Sequence, residues 1–183
     1  MNDCLILVDL QNDYFAGGQM KLVGTEQAAA NAQLLLSKFR GDHKPIVHIQ
    51  HLAMQPGATF FLPGSYGAEI NVMVAPKKGE SVLVKNYPNS FRETTLLETL
   101  KKWKISNLVI CGAMSHMCID ATTRAAFDHG FSCVVAEDAC ATKDLAFHGK
   151  TIKAADVHAS FMAALSAPYA KVTATKEIIN STA

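Results

Sequence analysis

Three side chains with complementary chemistry stand where apolar runs end. Asp9 follows CLILV, Lys85 closes SVLVK, and Cys118 lies in GAMSHMCID, directly after NLVIC. Singly, each has an ordinary use. An Asp after a strand forms a turn or caps a helix, a Lys at a strand end reaches solvent, and a Cys packs as a small hydrophobe. Together they are the parts of a nucleophilic site. An ammonium and a helix N-terminus stabilise a thiolate, and a carboxylate within hydrogen-bond reach takes the thiol proton as general base. Such a site requires all three groups to share one edge of one sheet.

The elements that must position them are legible as alternation. Short β-branched and aliphatic runs at 4–9, 45–50, 81–85, 107–112, 132–137 and 170–173 read as strands buried on both faces. Helical patterns fall between them at 25–41, with Thr25 as N-cap and Gly41 as stop, and at 89–103, 118–130 and 151–167. This order predicts an α/β fold: one three-layer α/β/α, Rossmann-like domain over 1–183, with a central, mostly parallel sheet of about six strands. In such sheets ligands bind beyond the carboxyl ends of the strands, where Asp9, Lys85 and Cys118 fall. The long Pro/Gly-rich stretch 52–80 is expected to wall or cover a site.

Composition narrows the partner. A net charge of +1 with no Lys/Arg block gives no electrostatic case for nucleic acid or an anionic membrane, so a small molecule is expected. No apolar stretch is long enough to span a bilayer, and Met1 leads into CLILVDLQNDYF with no basic leader, which predicts a cytoplasmic protein. Five cysteines without a C-x-x-C pair read as free thiols, with Cys4, Cys111, Cys133 and Cys140 in the core. No G-x-G-x-x-G or G-x-x-x-x-G-K-[ST] follows any strand, which argues against a dinucleotide or P-loop site.

The segments LILVDLQNDYFAGG (5–18), KNYPNSFRETTL (85–96) and LVICGAMSHMCIDATTRAAFDHGF (108–131) resemble the isochorismatase-like cysteine hydrolases. That superfamily includes nicotinamidases, N-carbamoylsarcosine amidohydrolases and isochorismatases. The resemblance implies Asp9 as general acid/base, Cys118 as nucleophile and Lys85 as the third member of a triad. It also implies a cis Ala113–Met114 peptide, an oxyanion hole from the backbone N–H groups of Met114 and Cys118, and a homo-oligomer, dimer or tetramer. The expected reaction is cleavage of a small amide or carbamoyl C–N bond through a Cys118 thioester. The alternative is vinyl-ether hydrolysis of isochorismate to 2,3-dihydro-2,3-dihydroxybenzoate and pyruvate, and the second alternative is a non-catalytic small-molecule binder.

Tyr14, Phe15, Phe60, Phe61, Tyr87, Phe91, His116 and Met117 flank the three motifs or sit in the long loop and are expected to line a neutral, aromatic pocket. His116, two residues before Cys118, reads as pocket wall in preference to base. Nicotinamidases carry an Asp-x-His metal motif after the second strand; here the segment is VHIQHLAMQPGATFF, so that element is missing. His48 and His51 are three apart in a strand and point to opposite faces, so no metal and no cofactor is expected. The apolar helix 157–167 reads equally as interface or core.

Overall fold

The computed structural model describes residues 2–181. Six strands form one sheet in the order β3-β2-β1-β4-β5-β8, with every neighbouring pair parallel. They are β1 (Asp3–Val8), β2 (Ile46–His51), β3 (Ser81–Lys85), β4 (Asn107–Ala113), β5 (Ser132–Ala141) and β8 (Lys171–Thr173); β6 (Leu145–Phe147) and β7 (Lys150–Ile152) form a separate antiparallel hairpin. The helices are α1 (Thr25–Gly41), α2 (Leu96–Lys102), α3 (Asp120–Asp128), α4 (Ala154–Leu165) and α5 (Thr175–Ser181). None of the described helices is long and apolar enough to cross a membrane.

Period-two alternation along the central strands builds the three layers. Leu5 and Leu7 of β1 face Ala32, Leu35, Leu36 and Phe39 of α1 and Ile178 of α5. Cys4, Ile6 and Val8 face the other way, onto Leu96 and Leu100 of α2, Ile119 and Ala126, and Met162 and Leu165 of α4. Truncating a side chain such as Leu35 or Leu100, each fully buried, to Ala is expected to cost about 2–5 kcal/mol.

The structure departs from the sequence reading where local pattern lacks tertiary support. Thr25 is the first residue of α1, and the N-cap is Gly24 in a left-handed conformation. The pattern at 89–103 is helical only over Leu96–Lys102, because 89–95 runs as turns held by side-chain caps: Phe91 N donates to Asn89 Oδ1, and Thr94 Oγ1 to Ser90 O. The helix expected at 151–167 begins at Ala154, and residues 150–152 pair in the hairpin instead. β3 is an edge strand, with Val82 and Val84 more than 40% exposed, so it is not buried on both faces.

The sheet order places the site. From the centre the chain runs outward through β1, β2 and β3 on one side and through β4, β5 and β8 on the other. A crevice therefore opens between the carboxyl ends of β1 and β4, where connections diverge. Gly112 is obligatory there: its φ is +127°, and a Cβ on it would lie 2.0 Å from Val8 O.

Candidate active site

Strand register delivers the four side chains of the site. Val8 pairs with Gly112, so Asp9 and the turn after β4 leave the sheet side by side. His51 pairs with Lys85, which sets the last residues of β2 and β3 next to each other on one face. Asp9 adopts a left-handed φ of +53°, uncommon for a residue other than glycine but tolerated by Asp. Its N–H donates to Ile49 O at 3.1 Å and its carbonyl accepts from Gln11 N at 2.9 Å, which holds that conformation.

After β4 the Ala113–Met114 peptide is cis, as the family resemblance implied. A single π-helical turn, Ser115–Ile119, follows and runs into α3. Within it Ile119 N donates to Met114 O at 3.2 Å, the wide spacing of a π-turn, which recurs at functional sites. The Met114 N–H has no backbone partner among the described residues. Ser115, which the sequence reading passed over, tethers the turn. Its hydroxyl lies 2.8 Å from His158 Nδ1 on α4 and 3.3 Å from Ala141 O on β5.

Lys85 is the centre of the constellation. Its buried ammonium lies 2.7 Å from Asp9 Oδ2 and donates to His51 Nδ1 at 2.9 Å, Tyr87 O at 3.1 Å and Cys118 Sγ at 3.2 Å. Asp9, Lys85 and Cys118 are all under 5% exposed. Neither Asp9 oxygen makes a well-aligned hydrogen bond among the described residues, so the Lys85 charge is what compensates the buried carboxylate. Burial alone pulls a lysine down, but the Asp9 charge first of all, with the hydrogen bonds to Asp9 and the Cys118 sulfur, outweighs it and holds Lys85 above the ordinary lysine value. The ammonium therefore persists.

Cys118 differs from the sequence expectation of a stabilised thiolate. Burial first, then the Asp9 charge, push its pKa well above that of a free thiol, and Lys85 only partly offsets them. The resting group is the thiol. Tyr14 is likewise pushed well above its usual value by burial, Asp9, Cys118 and Asp13, and stays a neutral phenol.

A cavity of about 330 Å³ opens onto Cys118, lined by Tyr14, His51, Gln55, Phe60, Phe61, Asn86, Tyr87, Pro88, Met114 and Met117. Part of the long irregular segment does supply a wall, through Gln55, Phe60 and Phe61. Phe61, at φ +55°, is locked by its N–H donating to Asp13 Oδ2 at 2.6 Å, and its ring packs 4.6 Å from Tyr14 and 5.9 Å from His51 between centroids. Three expected wall residues lie elsewhere. Phe91 packs in the core beside Phe131, Phe15 faces a separate cleft formed with Asn12, Asp13 and Tyr66, and His116 turns away to Thr142 Oγ1 at 2.6 Å.

The two histidines of β2 do face opposite sides of the sheet. His48 Nε2 meets Glu80 Oε2 at 2.9 Å, whereas His51 enters the site, which the sequence did not assign to it. Asp9, His51 and Cys118 bring a carboxylate oxygen, a ring nitrogen and a thiol sulfur within 4.8 Å of one another, a set that can ligate a metal. The donors do not fit a resident divalent ion, however. All three already converge on the Lys85 ammonium, which such an ion would have to displace against its positive charge.

Residues 3–176 match the isochorismatase domain family model. The crystal structure of a protein from Oleispira antarctica described as an isochorismatase hydrolase superposes with a TM-score of 0.95 at 52% identity, over 98% of this chain and 96% of that one. A secreted isochorismatase effector, Isc1 of Verticillium dahliae, is 38% identical over 141 residues, spanning 77% of this chain and 73% of that protein. A streptothricin hydrolase of Streptomyces noursei is 31% identical over 141 residues, 77% of this chain and 55% of that protein. The chain is a member of the isochorismatase family, with a parallel-sheet α/β fold matching that of its solved relative.

Proposed function

We propose that the protein is a cysteine hydrolase that cleaves the C–N bond of a small, uncharged amide or carbamoyl compound through a Cys118 thioester. The observation that carries this reading is the single Lys85 ammonium shared by the Asp9 carboxylate and the Cys118 sulfur at the floor of the cavity. As Sγ attacks the carbonyl carbon, its proton passes to Asp9, and the positive charge of Lys85 remains beside the pair. The oxyanion meets the N–H groups of Met114 and Cys118, donors of a kind worth about 3 kcal/mol each. Asp9 then protonates the departing nitrogen and the C–N bond breaks, leaving the thioester. A water molecule, deprotonated by Asp9, attacks that thioester; the acid leaves and Cys118 recovers its proton. The streptothricin hydrolase among the relatives supports hydrolytic chemistry in this branch of the family.

The second reading, vinyl-ether hydrolysis of isochorismate, is favoured by the name of the Isc1 relative. Isochorismate carries two carboxylates, and among the described residues the cavity wall offers no cation to them. Lys85 is committed to Asp9, and the Arg92 guanidinium sits 3.6 Å from the centroid of the Tyr87 ring on an exposed side chain. A burial of two unpaired carboxylates is costly. The deciding measurement is product release from a panel of small amides and carbamates and from isochorismate. Ammonia or amine release that disappears in Cys118→Ser supports the amide reading. Pyruvate release that survives in Cys118→Ser establishes the vinyl-ether reading, and no turnover of any compound leaves the family fold as a binding protein.

A further inference from the structure

His51 is held more firmly than a wall residue needs to be. Its backbone N–H donates to Gln11 Oε1 at 2.7 Å, its carbonyl accepts from Gln11 Nε2 at 2.8 Å, and its ring packs against Phe61. Gln11 is itself fully buried, so the clamp is rigid. At the ring, Nδ1 lies 2.9 Å from the Lys85 ammonium. An ammonium has only protons to offer, so Nδ1 must be the acceptor and the ring proton must sit on Nε2. Burial and then the Lys85 charge both hold His51 below the ordinary histidine value, against a smaller opposing effect of Asp9. The ring is therefore neutral and of one tautomer. Nε2 has no partner among the described residues, and it is not among the buried atoms left unsatisfied, which leaves it facing the cavity that His51 lines.

We propose that His51 is a substrate-binding residue whose fixed Nε2–H recognises a hydrogen-bond acceptor on the substrate next to the scissile amide. The substrate class is then narrower than any small amide: an uncharged amide carrying a second acceptor, such as an ether oxygen or a second carbonyl, within a bond or two of the reacting carbon. A ring nitrogen of His51 lies within 4.8 Å of Cys118 Sγ, so a carbonyl carbon in contact with the thiol leaves room for one such neighbouring atom against the imidazole. A donor fixed in this way, and closed off from water once a substrate fills the cavity, discriminates by what it leaves unpaired. A substrate without the acceptor strands the N–H, and a variant without the N–H strands the acceptor.

This inference rests on the cysteine-hydrolase reading, and a matched pair of amides separates the two. Methoxyacetamide and butanamide differ by one oxygen in place of a methylene and are both uncharged. The wild-type protein is expected to hydrolyse methoxyacetamide to methoxyacetate and ammonia with a kcat/KM about tenfold or more above that for butanamide. In His51→Phe, which keeps an aromatic ring against Phe61 but no N–H, the preference is expected to vanish or invert, chiefly through KM for methoxyacetamide. His51→Gln, whose amide can donate, is expected to recover part of it. A merely structural role would lower turnover of both amides alike and leave their ratio unchanged, and that result overturns the proposal.

If wild type turns over neither amide, protection of Cys118 from iodoacetamide gives the same comparison without catalysis. Methoxyacetamide is expected to protect at about a tenth of the butanamide concentration in wild type and at no lower concentration in His51→Phe. Equal protection by the two amides, or none by either, overturns the role of His51. Loss of turnover with preserved discrimination counts against the cysteine-hydrolase reading instead.

Discussion

β2 carries two histidines three residues apart, His48 buried and His51 partly exposed, and each ends in a cluster with a carboxylate and a cation. His48 joins Glu80 and Arg40, whereas His51 joins Lys85 and Asp9. In the first cluster the carboxylate is saturated. Glu80 accepts from Arg40 Nε at 2.7 Å and Nη2 at 2.8 Å, from Lys77 N at 2.8 Å, and contacts His48 at 2.9 Å. In the second, Asp9 has one ammonium beside it and no aligned hydrogen bond, and the cluster opens onto a cavity. A closed network ties β2 to the segment before β3 and to α1. An open one keeps acceptor capacity in hand for a proton and an N–H for a ligand, which is what chemistry requires and folding alone does not.

Four measurements sharpen that contrast. The largest expected effect is in the open cluster: Cys118→Ala should lower hydrolysis of an identified amide about 10⁴-fold or more while the melting temperature stays within a few degrees, since only a thiol is removed. Next, Asp9→Ala strands the buried Lys85 ammonium, and urea denaturation should show a loss of about 3–5 kcal/mol. The double variant Asp9→Ala/Lys85→Met should recover much of that stability without activity. If Asp9→Ala proves as stable as wild type, the ion pair does not compensate as described.

In the closed cluster, Glu80→Gln should cost about 1–3 kcal/mol, because a charged acceptor of several hydrogen bonds is lost. Turnover should change by less than about twofold, as the hydrogen-bond partners of Glu80, namely Arg40, His48 and Lys77, are not among the residues lining the cavity; a large fall in kcat would erase the distinction between the clusters. The smallest effect is in pH dependence. Arg40 hydrogen bonds first of all, against burial, lower Glu80 from 4.5 to about 2. A depressed carboxylate contributes stability that is fully present above the unfolded-state value and is lost as pH falls through the folded one. The melting temperature should therefore fall more steeply between pH 4.5 and 2 for wild type than for Glu80→Gln.

Much of the fold was legible because its central strands are buried on both faces and read as continuous apolar runs; the segments at β1, β2, β4 and β5 were placed within a few residues. The hairpin Leu145–Ile152 was not, since its two three-residue strands lie at the surface and carry no burial pattern. Pocket walls were harder still. Phe61, in the long loop, and Phe91, in the 85–96 motif, are both expected pocket aromatics, yet one faces the cavity and the other the core, and no spacing distinguishes them. His51 escaped because alternation states that it opposes His48 but not which side holds the site.

The sequence by itself determined the alternation of strand and helix, the family, and the three residue types at three strand ends, because burial, periodicity and turn chemistry are local. Tertiary structure alone decided the register that sets His51 beside Lys85, the convergence of four groups on one ammonium, and the resting protonation of Cys118. Those depend on distances between residues up to 109 positions apart in the chain, such as Asp9 and Cys118, and on how much water the fold leaves between them.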